Sequence, residues 1–295
     1  MFKKLRYYPS KDMNLKIAFR ILAILLCLQI NSCRKDEQSV PTVITNPVGL
    51  VTPTSAETGG KITNDGGSVI TGRGVCWSRN QNPTIDNEHI SQGGGDGSFK
   101  CNITGLISNT KYYLRAYAVN NAGISYGEEI DFITNTFRIG LFYEGGKIFY
   151  IDTSEEHGLI AALSDYQSNV SWFGNSYTET LAMGNEIGEG RLNTAKIVNV
   201  LGVGEYAAYV CYSLSLNGYH DWFLPSFREL SLMYEERNII GGFRDEYYWS
   251  STQSKNYDNT RVYWLVPKAL HFLNGNLVQP QGKLDLFRVR PIRSF

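Results

Sequence analysis

From residue 42 to residue 135 the chain is cut into short segments by glycine- and asparagine-rich turns, a spacing that favours antiparallel β-structure. The turns are Asn64-Asp65-Gly66-Gly67, Gly93-Gly94-Gly95-Asp96-Gly97 and Asn120-Asn121-Ala122-Gly123. Strands are expected near 48–51, 57–63, 72–79, 88–91, 98–103, 111–119 and 125–133. In the sixth, Tyr112, Leu114, Ala116 and Ala118 alternate with Tyr113, Arg115, Tyr117 and Val119, so one face points inward. A run of short strands of this kind is the pattern of a β-sandwich. Asp86, Glu88 and His89 are expected in a charged loop rather than a metal cluster, and Gly93–Gly97 lacks the Lys-Ser/Thr of a phosphate loop.

Beyond residue 137 the periodicity changes. Gly145-Gly146 turns into a strand through Ile151, and His157–Ala162 reads as its hairpin partner. Ile197, Val198 and Leu201 form one apolar helical stripe. Tyr206, Val210 and Leu214 recur at steps of four, with Cys211 beside Val210, and Gly202 and Gly204 separate two short helices. Ser226-Phe227-Arg228-Glu229 has capping-box spacing and opens a third helix to about Arg237. Strands are expected again at 247–252, 261–266 and 287–293, with Asn274-Gly275 as a hairpin turn. Strands before and after a helical segment make an α+β domain. Trp222 and Leu224 are expected to alternate inward, Pro225 to stop a strand and Ser226 to cap the helix. Trp249 is expected in the core, with Ser250 and Ser251 bonded to loop backbone.

The N-terminus reads as an address. Ile21–Leu28 is an unbroken apolar run, too short to span a bilayer, and basic residues precede it, which fits a secretory signal over 1–32. The segment from Met13 is a complete signal by itself, so Met13 is an alternative start. The first 32 residues hold six basic side chains and one acid. They mask the balance of the rest, 22 basic against 27 acidic residues, which does not suit a nucleic-acid binder. Residues 33–41 read as a linker that begins at Cys33. Of the cysteines past Cys33, Cys76 and Cys101 lie on predicted strands of one domain, as a disulfide or as two buried thiols. Cys211 is expected as a small core residue.

Four resemblances add to this reading. Ile30-Asn31-Ser32-Cys33 resembles a lipobox, which implies cleavage before Cys33, lipidation there and stable anchoring. Arg34-Lys35-Asp36-Glu37 resembles a surface-export signal of Bacteroidota-type lipoproteins, and a solvated tether is its alternative. Gly74–Ser78, Gly97–Phe99, Thr104–Leu106 and Asn109–Ala118 resemble a fibronectin type III-like domain over 42–135, with Tyr112 as its corner tyrosine. Ala207–Cys211, Gly218–Ser226, Glu229-Leu230, Tyr248–Thr252 and Val289–Arg293 resemble, in that order, the C-terminal domain of the collagen-like adhesin Lcl. That family is related to the Fibrobacter major paralogous domain. The resemblance spans 137–295 and implies a C-type-lectin-like fold and a role in surface attachment.

The expected architecture is therefore multidomain: an all-β fibronectin type III-like sandwich followed by an α+β C-type-lectin-like domain. The expected function is that of a non-enzymatic lipoprotein of the outer membrane, exposed at the cell surface, in adhesion or polysaccharide binding, with the sandwich as spacer. The alternatives are a structural subunit of a surface complex and a glycan-active enzyme. No His-Glu-x-x-His, Gly-x-Ser-x-Gly or P-loop motif occurs. No cofactor, metal or calcium is expected. Candidate ligand contacts are the loop Asn256-Tyr257-Asp258-Asn259, whose alternative is a solvated turn, and the basic pair Arg288 and Arg290. That pair would form an anion site or would bind acids such as Asp221 or Glu229. His220, Asp221, Trp222, Leu224, Pro225, Ser226, Glu229, Trp249, Ser250, Ser251, Arg290 and Pro291 are read as architecture, with His220–Asp221 as an acid–base pair the alternative. With no Gly-x-y repeat, homo-oligomerisation stays open. Residues 137–295 hold 14 basic and 17 acidic side chains, which favours a neutral or mixed ligand over a polyanion.

Overall fold

A computed structural model describes residues 37–174, 178–257, 263–280 and 285–295. Cys33, Asp258 and Asn259 lie outside the described residues. The chain divides into two compact units that meet between Asn135 and Thr136.

The first unit contains β1 (Thr42–Thr45), β2 (Ser55–Asn64), β3 (Gly72–Ser78), β4 (Glu88–Ser91), β5 (Gly97–Thr104), β6 (Lys111–Asn120), β7 (Gly123–Tyr126) and β8 (Ile130–Ile133). One sheet has the order β1-β2-β5, and the other β4-β3-β6-β7, with β8 also paired to β6. Inward residues of both sheets, among them Val75, Trp77, Phe99, Ile103, Leu114 and Ala116, fill one core. The alternation along β6 buries Tyr112, Leu114, Ala116 and Ala118 as the pattern requires. This strand order is a fibronectin type III-like sandwich, and its corner is present: the Ile107 N–H donates to the Tyr112 hydroxyl at 3.1 Å. Tyr112→Phe leaves that amide without its acceptor. It should lower the stability of this unit by about 1 kcal/mol, read from its denaturant midpoint. An unchanged midpoint would show that the corner ties nothing down.

Two expectations for this unit need correction, and the choice left open at Cys76 and Cys101 falls to the buried thiols. The strand placed at 48–51 is displaced to Thr42–Thr45, and Val51 forms only an isolated bridge with Ala56. Pro47 and Pro53 bracket that stretch, and proline cannot donate to a ladder. The strand placed at 125–133 is broken into β7 and β8. Gly127 breaks it by running against β1, where a Cβ would sit 2.5 Å from Thr45 Oγ1. Cys76 and Cys101 are both free and buried. Cys101 belongs to the core between the sheets, whereas the Cys76 thiol donates to the Pro83 and Arg115 carbonyls. Burial pushes the Cys76 thiol up to about 11.

The second unit contains β9 (Phe142–Tyr143), β10 (Gly146–Ile151), β11 (Gly158–Ala161) and β12 (Gln167–Val170). Four helices follow: α1 (Glu189–Leu201), α2 (Ala207–Tyr212), α3 (Phe227–Glu235) and α4 (Arg237–Ile240). The chain ends in β13 (Tyr247–Tyr257), β14 (Tyr263–His271), β15 (Leu277–Val278), β16 (Phe287–Val289) and β17 (Ile292–Ser294). The order β17-β11-β10-β9 makes a small sheet that joins the unit's C-terminal strand to its first hairpin. The order β12-β16-β13-β14-β15 makes a second sheet, in which β13 and β16 run parallel. Trp249, Trp172, Tyr206, Ile197 and Cys211 share the core between this sheet and α1 and α2. The helix opened by Ser226 stops at Glu235 rather than Arg237, and α4 follows as a separate turn.

Candidate functional site

The segment from Asp221 to Ser226 is held by three other parts of the unit. Phe223 exchanges both backbone hydrogen bonds with Ile292, at 2.8 and 3.0 Å, which fixes it beside β17. Trp222, Phe223 and Leu224 are all buried. The inward alternation expected of Trp222 and Leu224 is therefore incomplete. The segment lies between a helix pair and the small sheet, and both of its sides meet protein. Thr194 on α1 grips Leu224 twice, its hydroxyl donating to the carbonyl and accepting from the amide. Ser226 caps α3 as its spacing requires: its hydroxyl accepts from the Glu229 N–H, and Glu229 accepts from the Ser226 N–H.

Trp249-Ser250-Ser251-Thr252 marks a bulge in β13, where the register with β14 shifts between Trp249 and Gln253. Such a bulge releases backbone groups from the ladder and re-aims side chains. Here they are spent on the neighbouring loops and, for Ser250, on strand β14 in place of the loop backbone expected of it. The Ser251 N–H and hydroxyl both donate to the Pro225 carbonyl, at 2.7 and 3.1 Å. The Ser250 hydroxyl donates to the Lys268 carbonyl, and Thr252 joins Gly184 to Phe227. The motif segments that are separate in sequence are one hydrogen-bonded body in space.

Arg290 is buried in this body. It donates to Asp165, to the carbonyls of Ala162, Gly241 and Gly242, and lies over the Phe243 ring. Arg288 bonds to Glu246 in a fork and reaches Asp165. The two arginines therefore share an acid as expected of one face, but the partners are Asp165 and Glu246, not Asp221 or Glu229. With Arg290 so enclosed, its guanidinium faces protein on every side. Asn256 and Tyr257 continue β13 rather than forming a loop.

Asp221 has a different setting. Its Oδ1 accepts from Arg293 Nε at 2.8 Å, and its Oδ2 from Arg293 at 3.2 Å and from Arg191 at 3.3 Å. Burial would raise the Asp221 pKa, but the hydrogen bonds and charges of Arg293 and Arg191 outweigh it and hold the carboxyl below its ordinary value. Arg293 also binds Glu144 and lies over the Tyr219 ring. Beside this cluster is a groove of about 370 Å³ lined by Arg191, Tyr212, His220, Asp221 and Trp222 among others. That volume lies within the range of small-molecule clefts. Arg191, Tyr212 and Thr194 were not singled out from sequence, because α1 and α2 reach this place only through the tertiary fold.

Among the described residues, no group of three or more His, Cys, Asp or Glu side chains is placed to hold a metal ion. In the first unit Asp86, Glu88 and His89 line an open groove of about 730 Å³ beside Trp77. Cys211 is fully buried and burial pushes its thiol well up, which is the setting of a packing residue and not of a nucleophile.

The first unit thus belongs to the broad class of fibronectin type III-like sandwiches, joined to a mixed unit rich in β-structure. No protein-family model matches the chain, and no curated protein matches it. Solved structures match about a third of it. The sensor domain of the anti-sigma factor RsgI4 from Pseudobacteroides cellulosolvens is 18% identical, with 32% of this chain and 76% of that chain covered and a TM-score of 0.25. A fibronectin type III domain of human collagen XX is 16% identical over 35% of this chain and 100% of that chain, with a TM-score of 0.26. The FN1–FN3 domains of chicken CNTN1 are 20% identical over 33% of this chain and 31% of theirs, with a TM-score of 0.26.

Proposed function

We propose that the chain is an exported, lipid-anchored surface protein of the outer membrane. In this reading its C-terminal unit binds polysaccharide without catalysis, and the β-sandwich serves as spacer. The C-terminal unit is read as an Lcl-type, C-type-lectin-like domain. The pairing of its last strand, β17, with its first hairpin, and the helices packed on the second sheet, support that reading. The observation that carries the binding function is the solvent-facing groove at Asp221. There a guanidinium, a carboxylate, an imidazole and a phenol ring line one cleft. Sugars are held by such sets, because hydroxyls pair with charged side chains and ring faces pack on aromatics. Per-site affinity should be weak, so many anchored copies would act together on an extended ligand.

Two measurements test this. Cys33→Ala, expressed in a bacterial host, should abolish acyl labelling and release the protein from membranes. Undiminished membrane retention would sink the anchor. Purified intact chain, clustered on beads, should retain polysaccharides with or without a chelator and leave them uncleaved. Turnover of the glycan, or binding that needs calcium, would count against the reading. Tyr257→Ala and Asp258→Ala test the 256–259 segment in the same assay.

A further inference from the structure

Resting on the polysaccharide reading, we infer that the groove between α1, the end of α2 and residues 220–223 takes a vicinal diol of a neutral sugar. Asp221 and Arg191 would bind the two hydroxyls, and Tyr212 would pack on the ring.

Lone-pair and donor counting supports this. Each carboxylate oxygen has two acceptor sites. Asp221 Oδ2 already accepts from both Arg191 and Arg293, whereas Arg293 Nε is the one side-chain donor to Oδ1 among the described residues. Oδ1 is therefore the carboxylate oxygen with room for a ligand hydroxyl. Arg191 donates through a single nitrogen, to Asp221 and to Ser294, and its remaining N–H groups have no partner among the described residues. Its side chain is 48% exposed and that of Asp221 is 35% exposed, so water or ligand reaches both. A donor and an acceptor held side by side by the same ion pair match two adjacent hydroxyls. Tyr212 is 54% exposed on the rim, a large ring left in solvent at the end of a short helix. Trp222 also lines the groove.

The charges decide which sugar. Arg191 and Arg293 are balanced by Asp221 and Glu144 within the same bonded network. Within this network no cation is left unbalanced to hold a sulfate or a uronate, so the ligand is a neutral sugar.

The experiment is retention of the intact chain on immobilised mannan, glucan and galactan, with dextran sulfate as the charged comparison. Wild type should bind at least one neutral polymer. That binding should change little between about 0.01 and 1 M salt, over which the Debye length falls from about 30 to 3 Å. Tyr212→Ala and Arg191→Gln should each weaken it about tenfold, while Tyr212→Phe retains it. Both sites of change are exposed, and an unshifted unfolding midpoint confirms that the fold is intact. Retention on a neutral polymer that both Tyr212→Ala and Arg191→Gln leave unchanged overturns the groove and leaves the polysaccharide reading standing. Binding confined to dextran sulfate, lost as salt rises, overturns the neutral diol. No binding to any of the four polymers overturns the function and the groove together.

Discussion

Arg290→Met should lower the stability of the C-terminal unit by about 3–5 kcal/mol, whereas Arg288→Met should cost about 1 kcal/mol or less. The two arginines are two residues apart and bind the same acid, yet their surroundings differ. The Arg290 side chain is 0% exposed and that of Arg288 is 19% exposed. Arg290 is the donor for three carbonyls on two different loops, those of Ala162, Gly241 and Gly242. Methionine fills much of the volume but donates nothing, so all three acceptors lose a partner, and the Ala162 carbonyl loses it in a buried place. Asp165 would keep the Arg288 guanidinium and the Tyr248 hydroxyl. Burial pushes the Tyr248 phenol well up, so it remains protonated and able to donate. The damage should therefore fall on the loops rather than on Asp165. The readout is denaturant unfolding of the intact chain by tryptophan fluorescence, since four of the five tryptophans lie in this unit. Equal losses from the two substitutions would show that burial is not what separates them.

Why this pair was only half legible in sequence is a matter of chain distance. A step of two in a strand places Arg288 and Arg290 together, and the excess of acids implies pairing. The identity of the acid is set by the fold: Asp165 is 125 residues from Arg290. Local chemistry was readable throughout. The alternation in β6, the capping box at Ser226 and the Asn-Gly turn before β15 each depend on residues within one turn or one pleat. The bulge at Ser250–Thr252 was not, because a run of small polar residues fits a loop as well as a strand. Only the carbonyls offered by Pro225 and Lys268 make the bulged strand the better arrangement. The groove at Asp221 failed to show for the same reason. Its walls come from α1, α2 and the 220–223 segment, and nothing in the spacing of Arg191, Tyr212 and Asp221 relates them. The motif Asp-Trp-x-Leu-Pro-Ser was legible as architecture, but its first residue also faces solvent, and architecture and site share that one carboxylate.

Glu229→Ala should destabilise the C-terminal unit by about 3 kcal/mol, and Glu229→Gln by about 1–3 kcal/mol despite its matching shape. Glu229 is 0% exposed and bridges the starts of two helices. Its Oε2 accepts from the Ser226 N–H at 2.7 Å, and its Oε1 from the Gly188 N–H, just ahead of α1, at 2.8 Å. Both helix dipoles favour a negative charge there. The carboxylate comes so close to α1 that a Cβ on Gly190 would sit 2.1 Å from Oε2, which is why that helix position holds glycine. Alanine removes the acceptor and strands the buried Ser226 amide and the part-buried Gly188 amide. Glutamine keeps one oxygen but turns an NH₂ group towards an amide N–H, so one donor still goes unmet. The charge state gives an independent check. Burial raises the Glu229 pKa above its ordinary 4.5, with the amide bonds of Ser226 and Gly188 opposing it. The folded state therefore holds this proton more tightly than the unfolded chain does. Stability contributed by the group rises as pH falls from neutrality through the folded pKa towards 4.5, and is lost again as pH rises. Glutamine does not titrate, and the other acids of the unit are common to both proteins. The gap in unfolding free energy between wild type and Glu229→Gln should thus widen on acidification from pH 7 towards the ordinary carboxylate range. A gap that narrows instead would mean that the two helix starts, and not burial, set the charge of this carboxyl.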